Sequence, residues 1–185
     1  FNKNLRKKSK IITDNEMQIF KILKLIAKRK KLKILDLSKT LEQIDSISST
    51  SQRDFRNKNL AMAIEAVKLC GLKEKKIFNS IKKLKEVSGR FELVKKYPNG
   101  VKVFIDYAHT PDALLKTLKF MQNNFGNNIS LVFGCGGDRD QQKRPIMAKI
   151  SNNICKKIYI TDDNPRSENP KKIRNEISKY ILKNK

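Results

Sequence analysis

The sequence predicts an open α/β domain over its second half, and two observations carry that reading. From Phe91 onward, short apolar strands alternate with amphipathic helices, and three of the strands run into loops dense in charged residues and glycine. The helices are read from apolar faces at helical spacing: Leu114, Leu118, Met121 and Phe125, then Ile146, Ile150 and Ile154, then Ile173, Ile177 and Ile181. Each begins near a proline, Pro111, Pro145 or Pro170, because a first helical turn accepts a residue without an N–H. Thr110 and Asn169 are suited to cap two of them. The strands are Val101 to Ile105, Ile129 to Phe133 and Ile158 to Ile160. A hairpin opens the region, residues 91–94 and 101–105 flanking the turn Tyr97-Pro98-Asn99-Gly100. Helical crossovers between the three strands predict that they lie parallel in one sheet.

The first half is less regular. Met17, Phe20, Ile22, Leu23 and Ile26 are crowded, and Leu32, Ile34, Leu35 and Leu37 alternate only loosely, so no element is assigned there. A helix is predicted from Lys58 to Leu72, with Leu60, Ala63, Ile64, Val67 and Leu72 as its apolar stripe and Gly71 to end it. A second is predicted from Lys73 to Val87 on Ile77, Ile81 and Leu84. Ser88-Gly89-Arg90 then breaks the pattern, which predicts a first domain over residues 1–86 and a second over residues 87–185.

At 185 residues with 38% hydrophobic content, the chain can bury one core or one and a half. It has no apolar run of roughly 18 residues, and its opening residues 1–6 lead into no signal-peptide core, so a cytoplasmic location without a membrane partner is expected. Cys70, Cys135 and Cys155 form no C-x-x-C pair, which argues against a disulfide framework and against a zinc site. The net charge of +24 would ordinarily point to a polyanion. Yet the lysines run evenly from Lys3 to Lys185 with no nucleic-acid reader motif, so nucleic acid is not expected as a partner. A basic field still favours phosphorylated small molecules.

In an open α/β sheet, ligands bind beyond the carboxyl ends of the strands, and three loops there carry the chemistry. In the first, Asp106 suits a ribose hydroxyl, and His109, the only histidine, suits a base or phosphate; a purely structural histidine is the alternative. In the second, Gly134, Gly136 and Gly137 let backbone come close to a ligand, although the pattern is neither G-x-G-x-x-G nor a Walker loop and also describes a tight turn. Cys135 has no base beside it in sequence and is read as a small residue of that turn. In the third, Asp163-Asn164-Pro165-Arg166 joins an arginine fork, an amide that donates and accepts, and a proline that fixes the backbone. That set describes a site for an amino-acid carboxylate. The alternative is a turn in which Arg166 pairs with Asp162 or Asp163.

The strings DYAHTPDAL, VFGCGGDRD followed by KRP, and TDDNPR occur in that order, and over residues 52–185 the chain resembles the Mur ligase family, in its diaminopimelate-adding branch. The resemblance implies a Rossmann-like, mostly parallel open-sheet domain over 87–185, truncated at its end, preceded by the tail of a central α/β ATP-binding domain over 1–86. It implies ATP contacts at Asn59, Arg90, Asp106 and His109, and diaminopimelate contacts at Arg139, Asp163, Asn164, Pro165 and Arg166. Arg56 stands where many members have asparagine, so only Asn59 carries over from that helix. The implied reaction is ATP-dependent amide ligation of meso-diaminopimelate to UDP-N-acetylmuramoyl-L-alanyl-D-glutamate in peptidoglycan biosynthesis, by a monomer. Magnesium is implied as well, with its ligands mainly outside these residues, and no catalytic residue is identified. The chain contains no G-x-x-x-x-G-K-[ST] loop, no candidate for the family's modified lysine and no uridine-binding domain, so this stretch is expected to be inactive alone. One rival is a Mur ligase or folylpolyglutamate synthase that adds another amino acid, against which Asp163 to Arg166 argues. The other is a basic nucleic-acid-binding protein, which salt-sensitive DNA binding tighter than ATP binding would reveal.

Overall fold

The computed structural model describes residues 9–17, 19–47, 55–85 and 87–182, so residues 52–54, 86 and 183–185 of the resembling stretch lie outside it. The chain divides into two compact units, Phe1–Lys85 and Glu86–Lys185. The first contains β1 (Lys10–Thr13), α1 (Phe20–Lys30), β2 (Lys33–Asp36), α2 (Ser38–Ile47), α3 (Phe55–Leu69) and α4 (Glu74–Ile81). β1 and β2 pair in parallel, from Lys10 opposite Lys33 to Thr13 opposite Asp36, with α1 as the crossover. The sequence pattern of this region does not by itself specify these elements. Its helix α1 buries only Leu23 and Ala27, whereas Ile22 and Leu25 face solvent, so apolar residues lie on both sides and blur the period. Lys31 closes the helix in the left-handed conformation, a position that usually takes glycine.

Leu37, Leu41, Ile44, Ala61, Ile64 and Ile77 form the core of this unit. α3 starts three residues before the predicted Lys58 and ends at Leu69, with Gly71 at positive φ beyond it. α4 ends at Ile81 and not at Val87, because Leu84 and Val87 are 64% and 65% exposed and have no surface to bury. Helical spacing without burial does not sustain a helix of this length.

The second unit contains β3 (Glu92–Lys96), β4 (Lys102–Ile105), α5 (Pro111–Phe125), β5 (Ser130–Phe133), α6 (Lys143–Ile154), β6 (Lys157–Ile160) and α7 (Pro170–Ser178). β3 and β4 form the predicted hairpin, closed by the Tyr97 N–H on Val101 O (2.8 Å) and the Gly100 N–H on Tyr97 O (3.0 Å). β5 and β6 pair in parallel, from Ser130 opposite Lys157 to Phe133 opposite Ile160. The expectation that β4 joins them in one parallel sheet is corrected: among the described residues β4 pairs with β3 alone, and β5–β6 form a separate sheet. Apolar alternation specifies which side chains turn inward but not which strand edge is used, and the hairpin offers β4 a partner at the smallest loop-closure entropy.

Leu114 and Leu118 of α5, Ile129 and Phe133 at β5, Met147 and Ala148 of α6, and Ile173 and Ile177 of α7 make the core, together with Cys135 and Cys155. The caps read from sequence are present. Thr110 Oγ1 accepts from the Ala113 N–H, and Asn169 Oδ1 from the Lys171 and Lys172 N–H groups. α6 instead starts two residues ahead of Pro145, with no side-chain cap at Gln142. Among the described residues no helix is long and apolar enough to cross a membrane.

Candidate functional site

Because β5 and β6 are parallel and adjacent, the loops after them emerge at the same end of the sheet. They are bonded to each other along their length. The Gly137 N–H donates to Asn164 O (2.9 Å), Arg166 Nη1 donates to Gly137 O (2.8 Å), and the Ser167 N–H and hydroxyl both donate to the Asp138 carboxylate (2.7 to 3.0 Å). The glycines make this approach possible. A Cβ on Gly137 would overlap the Pro165 carbonyl, and one on Gly136 would lie 2.8 Å from Arg166 Nη1. The close approach that these glycines allow is made by the chain's own third loop.

Within that loop, Asp163 Oδ1 accepts from the Asn164 N–H (2.7 Å) and Asn164 Oδ1 from the Arg166 N–H (3.1 Å), an Asx-type turn around Pro165. Arg166 takes φ 50°, which is rare outside glycine. Its guanidinium is held by Nη1 alone, on the carbonyls of Gly137 and Asn164, so Nε and Nη2 have no hydrogen-bond partner among the described residues. Arg166 pairs with neither Asp162 nor Asp163; Asp162 pairs with Arg174 instead. Arg139 is exposed and without an ion-pair partner among the described residues. Beneath these loops, burial pushes the Cys135 thiol above its ordinary range, which suits a packing residue and not a nucleophile.

The loop after β4 is built differently. Asp106 accepts from the Phe91 N–H (2.8 Å) and from the Thr117 hydroxyl (3.4 Å), so its carboxylate ties the start of the hairpin to α5. His109 is exposed, with Nδ1 3.0 Å from Tyr107 O and its ring edge-on to Tyr107. The Arg90 guanidinium lies 4.2 Å over the other partner of this stack, the Tyr107 ring itself. Tyr107 therefore connects two predicted nucleotide contacts, a role that its residue type did not announce. Lys143 Nζ, donating to His109 O (3.0 Å), links this loop to the start of α6. Asn59 lies exposed on α3 of the first unit. Among the described residues no three His, Cys, Asp or Glu side chains converge to hold a metal ion.

Arg144 is the one fully buried charge among the described residues, and its sequence position does not mark it. Arg144 is 0% exposed and places Nη1 and Nη2 on the two oxygens of Glu168 (2.9 and 2.8 Å), with Nη1 also on Glu176 Oε2 (2.6 Å). An arginine two positions into a helix ordinarily reads as surface, and no spacing rule marks it as buried.

The family described as Mur ligase, glutamate ligase domain, matches residues 89–184, which is half of the chain and nearly all of its second unit. The chain belongs to the Mur ligase family. A relative named UDP-N-acetylmuramoyl-L-alanyl-D-glutamate–2,6-diaminopimelate ligase, from Rickettsia typhi, is 44% identical over 129 residues, 69% of this chain and 25% of the relative. A protein of the same name from Rhizobium meliloti is 42% identical over 124 residues, 67% of this chain and 26% of its own length. This Mur ligase chain thus spans about a quarter of the curated relatives it matches. Among solved structures, folylpolyglutamate synthase from Thermotoga maritima aligns with a TM-score of 0.58 at 19% identity, over 96% of this chain and 46% of that one. At that identity the likeness establishes the shared α/β fold and nothing of the substrate.

Proposed function

We propose that this chain is the part of an ATP-dependent Mur ligase that binds the incoming amino acid and closes over the nucleotide, and that the amino acid is meso-diaminopimelate. The observation that carries the reading is the posture of Arg166. One nitrogen is fixed on the Gly137 carbonyl while the Nε–Nη2 edge, the pair of donors that matches a carboxylate bidentately, stays open at the carboxyl end of β5 and β6. Arg139, Asp163 and Asn164 stand on the same two loops and are assigned to the same substrate. The matched relatives that carry diaminopimelate in their names support this choice over another amino acid.

In the proposed reaction, the γ-phosphoryl group of ATP passes to the side-chain carboxylate of the D-glutamate in UDP-N-acetylmuramoyl-L-alanyl-D-glutamate, giving an acyl phosphate and ADP. The amine of diaminopimelate then attacks the acyl carbon, phosphate leaves with the C–O bond electrons, and an amide remains. This chain contributes position and charge. Arg90, stacked on Tyr107, is assigned to the ATP phosphates, with Asp106, His109 and Asn59 assigned to the nucleoside. Engaging Asp106 would require sharing it with the Phe91 N–H and Thr117, which a carboxylate with four lone-pair sites permits. Magnesium, with its ligands mainly outside these residues, would offset the charge on the transferred phosphoryl group. A cytoplasmic location belongs to the same reading, because ATP and a UDP-linked precursor are its substrates.

The test is steady-state ligation by the full-length ligase that carries this chain, with meso-diaminopimelate and L-lysine compared. Lysine lacks the second carboxylate and leaves the Arg166 fork unpaired. Arg166→Ala should lower kcat/KM for diaminopimelate roughly ten- to a hundredfold, since each charge-assisted hydrogen bond contributes about 1.5 to 3 kcal/mol. The ATP KM should barely move. An unchanged preference for diaminopimelate over lysine in the variant would sink the assignment.

A further inference from the structure

Arg144 is the largest fully buried side chain among the described residues, and nothing in the proposed reaction uses it directly. It stands in the first turn of α6 and reaches three separate places. Two nitrogens grip Glu168 in a fork–fork pair, Nη1 adds Glu176 on α7, and Nη2 comes within 3.4 Å of Gly136 O; Nε is buried with no hydrogen-bond partner. Glu168, two residues beyond Arg166, is the junction. Its Oε1 accepts from Arg144 and from the Asp138 N–H (2.7 Å), so a single carboxylate joins α6, the glycine loop and the loop that carries Asp163 to Arg166. The two loops need such a tie, because Asp138 and Arg166, at φ 51° and 50°, both hold left-handed conformations that non-glycine residues keep only when their surroundings enforce them.

From this geometry we infer that Glu168, anchored by the buried Arg144, is a positioning residue for amino-acid binding: it sets the spacing between the Arg139 loop and the Asn164–Arg166 loop, and thereby the affinity for the incoming amino acid. The inference rests on the assignment of those loops to the amino-acid site, made above. Glu176 provides the internal control. It binds the same guanidinium at a similar distance but belongs to α7 and makes no hydrogen bond or ion pair to either loop, so it shares in the stabilising role of Glu168 without the positioning role.

The experiment compares Glu168→Ala, Glu168→Gln and Glu176→Gln in the full-length ligase, measuring KM for meso-diaminopimelate, KM for ATP, kcat and melting temperature. Positioning predicts that Glu168→Ala raises the diaminopimelate KM roughly ten- to a hundredfold, the scale at which a misplaced binding group costs. The ATP KM should stay within about twofold. Glu168→Gln retains the shape and one acceptor oxygen, so it should fall between wild type and Glu168→Ala, and it keeps the test decisive if the alanine variant does not fold. Glu176→Gln, which gives up a single contact to Arg144, should lower the melting temperature less than Glu168→Gln and leave the diaminopimelate KM unchanged. Equal KM effects at 168 and 176, or none at 168, would overturn the inference and leave the cluster purely structural. If the wild-type enzyme ligates a different amino acid, the diaminopimelate assignment fails by itself, and the same comparison made with the KM of that amino acid decides the role of Glu168.

Discussion

Arg166 and Arg144 show how unevenly single residues reveal themselves. Arg166 stands out in the sequence because Asp163-Asn164-Pro165-Arg166 is chemically pointed, and its guanidinium is held by Nη1 on the Gly137 carbonyl at the end of the parallel pair. Arg144 does not, because its burial depends on Glu168 and Glu176, which are 24 and 32 residues away in the chain. That pairing has a pH signature. Arg144, and after it the Asp138 amide, hold the Glu168 carboxyl down to about 2 from an ordinary 4.5. The unfolded chain therefore binds more protons between these values than the folded one, so the contribution of Glu168 to stability is complete above about pH 4.5 and is lost as pH falls toward 2. Glu176, on the same guanidinium, is the other carboxylate facing it. Chemical denaturation of wild type and Glu168→Gln across pH 2 to 7 should show a shallower acid loss in the variant; parallel curves would mean that the pairing contributes nothing across this range.

Among the elements, those with a chemical start signal were the most legible. α5 and α7 begin at the prolines that predict them, with Thr110 and Asn169 as working caps, whereas α6 starts two residues before Pro145, which still falls in its first turn, and has no side-chain cap at Gln142. Where only apolar spacing was available the reading slipped: α4 stops short, and the first βαβ unit went unassigned because α1 carries apolar residues on two faces. β4 was recognised as a strand but given the wrong neighbours, since alternation is silent about edges. The cap at Asn169 has a particular position, immediately after the Arg166–Glu168 segment. Asn169→Ala removes the acceptor for two N–H groups of α7 and should cost about 1 kcal/mol of stability. The readout is the denaturant midpoint at constant m-value, and a midpoint unchanged within error would show that water replaces the cap.

For the whole molecule, the two units each bury a core of their own, and the second holds every buried residue of its cluster between Leu114 and Ile177. Residues 86–185 expressed alone should accordingly fold and unfold in one cooperative transition, with dispersed amide resonances. A gradual, probe-dependent transition would show that they do not form an independent unit. The charge of +24 is spread along the whole sequence, and among the described residues Lys58, Lys68 and Lys116 engage the carboxylates of Asp14, Glu16, Glu65, Glu74 and Asp112. The glycine loop and the Arg166 loop, by contrast, are bound so closely that Gly137 has no room for a methyl group against Pro165. They are consequently one unit for engineering. Residues 163–166 grafted into another ligase without a matching glycine loop would bring the side chains but not their placement, and substitutions on the two loops should be coupled and not additive, because both read out the same contact.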